Sequence, residues 1–175
     1  GTPPRLQLIR DEILQSGTTS GWEAMDYMKW YDAYDSFLKH NGFAKAFPTV
    51  DDLTRAMGNV TFYYQGRVLE NIRISNTVDA YAVNGWESMK LENHSGIVDN
   101  YRFPKGDPEV MARYNAPLYL AVKMNRKVVS TGDTTLVDTY IVNEKNLKGS
   151  YILNLVAKDE SGNVVASHKE RVTVK

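Results

Sequence analysis

The residues of this sequence that could act on a ligand begin directly after an apolar segment. The segment Val78–Asn84 is short, apolar and β-branched, which predicts a buried strand. Trp86 and Glu87 follow it at once. An indole can stack on the face of a sugar ring, and a carboxylate can accept hydrogen bonds from hydroxyl groups. The ordinary alternative is that Trp86 closes a core while Glu87 is solvated, and composition and spacing alone favour that alternative.

Further polar residues, Glu92, Asn93 and His94, follow in the same irregular stretch. Glu87 and Glu92 could form a glycosidase carboxylate pair, whose members lie ~5–5.5 Å apart in retaining enzymes. Two Glu residues this close on one loop are, however, common by chance. His94 could bind a ligand or hold the loop through its two ring nitrogens. Ser95 beside His94 does not predict a Ser-His-Asp triad, because adjacent residues rarely present the required geometry.

The charge balance narrows the possible partners. Lys plus Arg and Asp plus Glu both total 21 among 175 residues, so the formal net charge is zero. A balanced chain lacks the basic surface that nucleic acid or an anionic membrane attracts, and we expect neither as a partner. The absence of Cys excludes disulfides, thiolate metal ligands and a Cys nucleophile.

No metal or cofactor is predicted. His40, His94 and His168 fall in different predicted elements, and no glycine-rich phosphate-binding motif occurs. No apolar run approaches the ~20 residues that cross a bilayer, and the first residues lack the features of a signal peptide. The chain begins with Gly1 rather than Met, which favours a processed or excised product.

The first half of the sequence has helical periodicity. Leu6, Ile9 and Ile13 predict a helix that ends at Gly17. Ser20 and Glu23 have the spacing of a capping box, and they open a second predicted helix that reaches Asn41.

A third helix is predicted to begin at Thr49, a capping residue followed by two acids near the positive end of the helix dipole. Gly58 and Gly66 within it predict places where another backbone comes close. A short helix is predicted from Asp107 or Pro108 to Tyr114. The apolar positions that predict one continuous face of the third helix are Val50, Leu53, Met57, Val60, Tyr64, Val68 and Ile72.

From Ala116 onward the apolar period is two, which predicts short antiparallel strands separated by turns. About 60 residues remain, against the ~100 of an immunoglobulin-type domain, so the predicted sandwich is incomplete. The predicted strands are Leu118–Met124, Lys127–Ser130, Thr134–Val142, Ser150–Lys158, Val164–Glu170 and Val172–Lys175.

The segments Asn84–Ser88 and Gly96–Gly106 resemble the end of the catalytic barrel in glycoside hydrolase family 2. This is the family of β-galactosidases, β-glucuronidases and β-mannosidases. The shared pattern is a Trp that closes the eighth barrel strand, then Gly-Ile-x-x-x-x-Arg-x-Pro-Lys before the last helix. The residues that carry it here are Trp86, Gly96, Ile97, Arg102, Pro104 and Lys105.

The resemblance implies an α+β chain with two parts. Residues 1–115 would be the C-terminal part of a (β/α)8 barrel, mainly helical, and residues 116–175 an incomplete immunoglobulin-like β-sandwich. A lone eighth strand leaves unpaired edges. We therefore expect either a helical cluster packed on the sandwich or pairing of Val78–Asn84 with another chain.

The resemblance also implies what the chain does. Members of the family use two catalytic Glu residues, one after the fourth barrel strand and one after the seventh, and both would precede Gly1. We therefore expect this chain to be an inactive fragment of a retaining glycosidase, whose partners are a carbohydrate and the remainder of the parent enzyme. Trp86 would form part of the sugar subsite, with Glu87, Asn93 and His94 as neighbours.

One departure bears on the substrate. β-Glucuronidases have an Asn-x-Lys motif before the Gly-Ile stretch, where the Lys meets the sugar carboxylate, but here Ser95 follows Asn93 and His94. This favours a neutral sugar such as a β-galactoside. The resemblance alone favours a periplasmic or secreted location.

Two alternative functions compete with a glycosidase fragment. One is a non-catalytic carbohydrate-binding or adhesion sandwich with exposed Tyr119, Tyr140 or Tyr151, and the other is a purely structural interaction domain.

Overall fold

The computed structural model describes residues 5–87 and 96–175. These residues form a mixed helical and antiparallel β protein with four α-helices and two small sheets, and they contain no closed barrel. The chain divides into two compact units, Gly1–Ala116 and Pro117–Lys175. All four helices lie in the first unit, and all four strands lie in the second.

Helix α1 (Leu6–Ser16) ends as its sequence predicts. Gly17 adopts the left-handed conformation, at φ 68°, and its N–H donates to the Leu14 carbonyl oxygen. Glycine adopts this conformation without steric strain because it has no Cβ, so Gly17 ends the helix at little cost in backbone energy.

Helix α2 (Trp22–His40) ends at Asn41 as expected, but its predicted capping box is wrong. The N-cap is Gly21, with no side-chain cap, which places Glu23 at the second helical position. A capping box requires the acid at the third position, where it can reach back to the N-cap N–H.

Helix α3 (Val50–Ser75) forms the capping box that its first residues predict. The Asp52 N–H donates to the Thr49 hydroxyl oxygen at 3.1 Å, and the Thr49 N–H donates to Asp52 at 3.1 Å. Two orphan N–H groups at the helix start are thereby satisfied.

The first three helices share one apolar core. A leucine from α1 and a leucine from α2 are both buried there, because each helix places its apolar stripe against the others. The buried members of this core are Leu6, Ile9, Tyr27, Leu38 and Val50.

The predicted apolar face of α3 is only partly correct. Leu53 packs against the core, and Met57 lines an apolar groove beside Trp30 of α2. Further along the same face, Val60, Tyr64 and Val68 are exposed. The helix instead buries a neighbouring face that includes both of its glycines: Val50, Thr54, Gly58, Phe62, Gly66, Leu69 and Glu70.

Glycine decides which face of α3 is buried. A Cβ on Gly58 would lie 2.0 Å from the Lys105 carbonyl oxygen, and a Cβ on Gly66 would lie 2.1 Å from Cδ2 of Tyr114. The expected close backbone approach is therefore confirmed at Gly58, whereas Gly66 admits an aromatic ring. Tyr114 lies at the end of helix α4 (Pro108–Tyr114), which begins where its sequence predicts.

The predicted buried strand Val78–Asn84 is wrong. No strand forms there, and Val78, Tyr81 and Val83 are exposed. The Tyr81 hydroxyl donates to Asn115. Within the described residues, no strand pairs with this segment through backbone hydrogen bonds. Its apolar side chains therefore have no sheet against which to be buried.

The second unit consists of two β-hairpins. Strands β1 (Leu118–Met124) and β2 (Val137–Asn143) pair antiparallel, as do β3 (Gly149–Lys158) and β4 (Val164–Val174). Residues from all four strands line an apolar cavity of about 170 Å³. Among them are Leu118, Leu120, Ile141, Leu153 and Val172.

Two strand predictions in this unit are corrected. Lys127–Ser130 is not a strand, because the Ser130 N–H donates to the Asp133 carboxylate at 3.0 Å and the Asp133 N–H returns to the Ser130 carbonyl. These bonds close a turn instead. The last two predicted strands are one continuous strand, β4.

None of the helices in the described parts of the chain is long and apolar enough to span a membrane.

We expect Gly58→Ala to lower the free energy of unfolding by about 1–3 kcal/mol, although alanine is the better helix former. The added methyl group would collide with backbone, which cannot rotate away. Urea unfolding followed by tryptophan fluorescence measures the change, since Trp22, Trp30 and Trp86 all lie in the first unit. Gly21→Ala is the control, because no atom lies within 4 Å of its Cβ position. Equal effects of the two substitutions would contradict the packing argument.

Candidate functional site

Trp86 is anchored by its backbone to the segment that carries the resemblance. Its carbonyl oxygen accepts hydrogen bonds from the N–H groups of Ile97 and Val98, both at 3.0 Å. Glu87 and Val98 form a parallel bridge, and the Lys105 N–H donates to the Ile97 carbonyl at 3.1 Å. Trp86 is therefore held by a folded loop, residues 96–106, which we call the site loop.

A buried carboxylate organises the site loop. Asp99 is 1% exposed, and its Oδ1 accepts hydrogen bonds from the N–H groups of Tyr101 at 2.9 Å and Phe103 at 3.0 Å. Nε of Arg5 lies 3.0 Å from Oδ2, and the Arg5 guanidinium also lies 4.3 Å from the centroid of the Phe103 ring. A buried carboxylate needs such partners, so Asp99 has a structural role in this loop.

The same turn places Arg102 in an unusual backbone conformation. Its φ is 64°, and its N–H donates to the Asp99 carbonyl oxygen at 2.9 Å. A residue other than glycine in the left-handed region carries a strain of about 1–2 kcal/mol. The side chain is 78% exposed, and its Nε lies 3.5 Å from Oε2 of Glu87.

Lys105 closes the base of the site loop. It is 7% exposed, and burial lowers its pKa to about 8, although the nearby Asp99 carboxylate opposes this shift. Its side chain borders a small cavity of about 70 Å³. The other residues around that cavity are Arg5, Asp51, Thr54, Arg55, Asp99 and Pro104.

The structure describes two of the four site residues that the sequence nominates. Trp86 is 65% exposed, so its indole does not close a core. Glu87 is ion-paired rather than simply solvated. Asn93 and His94 lie outside the described residues, as does Glu92.

Sequence reasoning named Arg102 as part of the family-like pattern but missed it as a candidate ligand contact. Its place in a polar loop suggested the ordinary structural role, and no periodicity distinguishes it from Asp99 or Asn100. The signal that separates them is three-dimensional: Asp99 is buried, whereas the Arg102 side chain extends into solvent beside Glu87.

The two histidines that the structure describes have local partners. Nδ1 of His40 lies 2.8 Å from the Ser36 carbonyl oxygen on α2, and His168 lies 3.8 Å from Glu170 on β4. Among the residues that the structure describes, no group of three His, Asp or Glu side chains could hold a metal ion.

No family model, curated protein or solved structure matches this chain.

We expect Lys105 to make the stability of the first unit depend on pH. Its pKa falls from 10.5 to about 8 on folding, so between these values the unfolded chain binds more protons. The free energy of unfolding therefore rises with pH, by about 1–2 kcal/mol from pH 8 to about 9.5. Urea unfolding at a series of pH values, followed by tryptophan fluorescence, measures this rise.

Lys105→Met is the matched variant for this measurement, because it removes the titrating amine and keeps an unbranched chain. Its stability should be nearly flat over the same interval. The interval ends below pH 10. Near that pH, tyrosines whose pKa is raised by folding, such as Tyr27 and Tyr114, keep their protons in the folded chain and lose them in the unfolded chain, so they lower the free energy of unfolding as pH rises. A rise of wild-type size in Lys105→Met would show that another group titrates.

Proposed function

We propose that this chain is part of a retaining glycoside hydrolase that acts on β-galactosides or related neutral β-glycosides, and that it supplies part of the wall of the sugar site. The observation that supports the proposal most strongly is the exposed indole of Trp86. An aromatic face in solvent costs free energy unless a ligand or a partner covers it, and sugar rings stack on such faces.

The surroundings of Trp86 suit a sugar. The backbone bonds to Ile97 and Val98 position the residue without covering its ring. Glu87 can accept hydrogen bonds from hydroxyl groups, and the guanidinium of Arg102 can donate to sugar oxygens. Stacking combined with flanking donors and acceptors is the arrangement that polyhydroxylated ligands require.

A second candidate function rests on the β1–β2 hairpin. Tyr119 pairs with Val142, and Tyr140 pairs with Ala121, so both tyrosines lie on the same face of this sheet. Tyr140 is exposed. A carbohydrate-binding sandwich would use such a pair of rings, and in that case Tyr140→Ala, rather than a change at Trp86, would weaken sugar binding.

We expect Trp86→Ala to weaken the binding of methyl β-D-galactopyranoside at least tenfold, since it removes the stacking surface. An NMR titration that follows the backbone N–H resonances of Ile97 and Val98, which every variant retains, measures the dissociation constant. Trp22→Ala is the matched control, because Trp22 on α2 is 62% exposed against 65% for Trp86. Equal loss in both variants, or a wild-type chain that binds no galactoside, would overturn the proposal.

We expect the purified chain to leave an aryl β-galactoside intact. The resemblance assigns the acid/base and the nucleophile to the ends of other barrel strands, and a retaining mechanism needs both carboxyl groups. Release of the aryl chromophore is the measurement. Turnover that is lost in Glu87→Gln would contradict this expectation and would make Glu87 a catalytic residue.

A further inference from the structure

We infer that the Glu87–Arg102 ion pair determines the charge selectivity of the site, so that it accepts neutral sugars and gains nothing from an anionic one. This inference rests on the proposed function, and it names Arg102 as a specificity-determining residue. It concerns Glu87, which follows Trp86 in the chain, and Arg102, whose Nε lies 3.5 Å from Oε2 of Glu87.

The geometry leaves both partners available to a ligand. The Arg102 side chain is 78% exposed, and its Nε lies 3.5 Å from Oε2 of Glu87. A guanidinium has five N–H donors, so most of those of Arg102 face solvent. Glu87 is 32% exposed, which leaves carboxylate surface for hydroxyl donors.

The pair contributes hydrogen-bonding groups of both kinds but no net charge. A neutral sugar can use the donors of Arg102 and the acceptors of Glu87 together. A sugar carboxylate would be attracted by Arg102 and repelled by Glu87 over similar distances, so the two effects nearly cancel. At about 4 Å in water, one unit charge changes the affinity for an opposite charge by about fivefold.

Backbone strain at Arg102 is a second, independent observation. A φ of 64° suits glycine, and the turn bond from the Arg102 N–H to Asp99 does not depend on the side chain. The backbone conformation of the turn is therefore not what favours arginine at this position. A strained residue whose side chain is exposed beside a candidate site is the pattern expected of a ligand-contacting residue.

The experiment compares two ligands that differ only at carbon 6: methyl β-D-galactopyranoside, which is neutral, and its uronate, which carries a carboxylate. Dissociation constants are measured by NMR titration at low salt for the full chain. In Glu87→Gln the charge of Arg102 is unbalanced, and we expect the affinity for the uronate relative to the neutral sugar to rise about fivefold. In Arg102→Gly we expect it to fall about fivefold.

Two further variants make the result specific. The double variant Glu87→Gln/Arg102→Gly should return to the wild-type ratio, and both single effects should shrink in high salt because the site is exposed. Asp35→Asn makes the same charge change in an ion pair on α2, Asp35–Lys39 at 2.6 Å, and should leave the ratio unchanged. The melting temperature of Arg102→Gly should equal or exceed that of the wild type, because glycine relieves the strain.

The outcomes separate this inference from the proposed function. If Trp86→Ala abolishes binding while the two single variants keep the wild-type ratio, the charge-selectivity inference is overturned and the sugar site stands. If Arg102→Gly unfolds the first unit, Arg102 is structural and the inference is again wrong. If the wild-type chain binds neither sugar, the proposed function fails and the inference fails with it.

Discussion

The buried carboxylate of Asp99 is the interaction on which the first unit's candidate site depends. Its Oδ1 accepts hydrogen bonds from two backbone N–H groups of the site loop, and Nε of Arg5 lies 3.0 Å from its Oδ2 in an ion pair. A buried charge left without partners costs several kcal/mol, so these partners and the loop conformation are formed together. The loop then presents its own N–H groups to the Trp86 carbonyl, and this fixes the backbone from which the exposed indole projects.

Helix α3 supplies the surface on which this loop rests. Gly58 allows the carbonyl of Lys105 to approach closer than any side chain would permit, and Gly66 does the same for the ring of Tyr114. Arg73, two residues before the end of the helix, extends this attachment by donating to the carbonyl oxygen of Ala116 at 2.7 Å. The long helix therefore supports the loop through the face that carries Gly58 and Gly66. The absence of side chains there, rather than the position of its most apolar residues, determines which face is packed.

Local sequence signals predict the helices and hairpins well where the physics is local. The left-handed Gly17, the box formed by Thr49 and Asp52, and the start of α4 at Pro108 all depend on neighbours within a few residues. The segment Val78–Asn84 shows the limit of this reasoning. Its composition suits a strand, but a strand requires a partner, and composition carries no information about whether one is present.

By itself, then, the sequence determined the four helices and the strands that form the two hairpins, and it nominated Trp86 and Glu87 as candidate ligand contacts. Only the tertiary structure decided that α3 buries its glycine face, that Lys105 is enclosed, and that Arg102 rather than Asp99 faces solvent beside Glu87. The reason is physical. Caps and periodicity are properties of contiguous residues, whereas burial and charge pairing depend on which distant segments approach. Arg5 meets Asp99, and Glu87 meets Arg102, only in the folded chain.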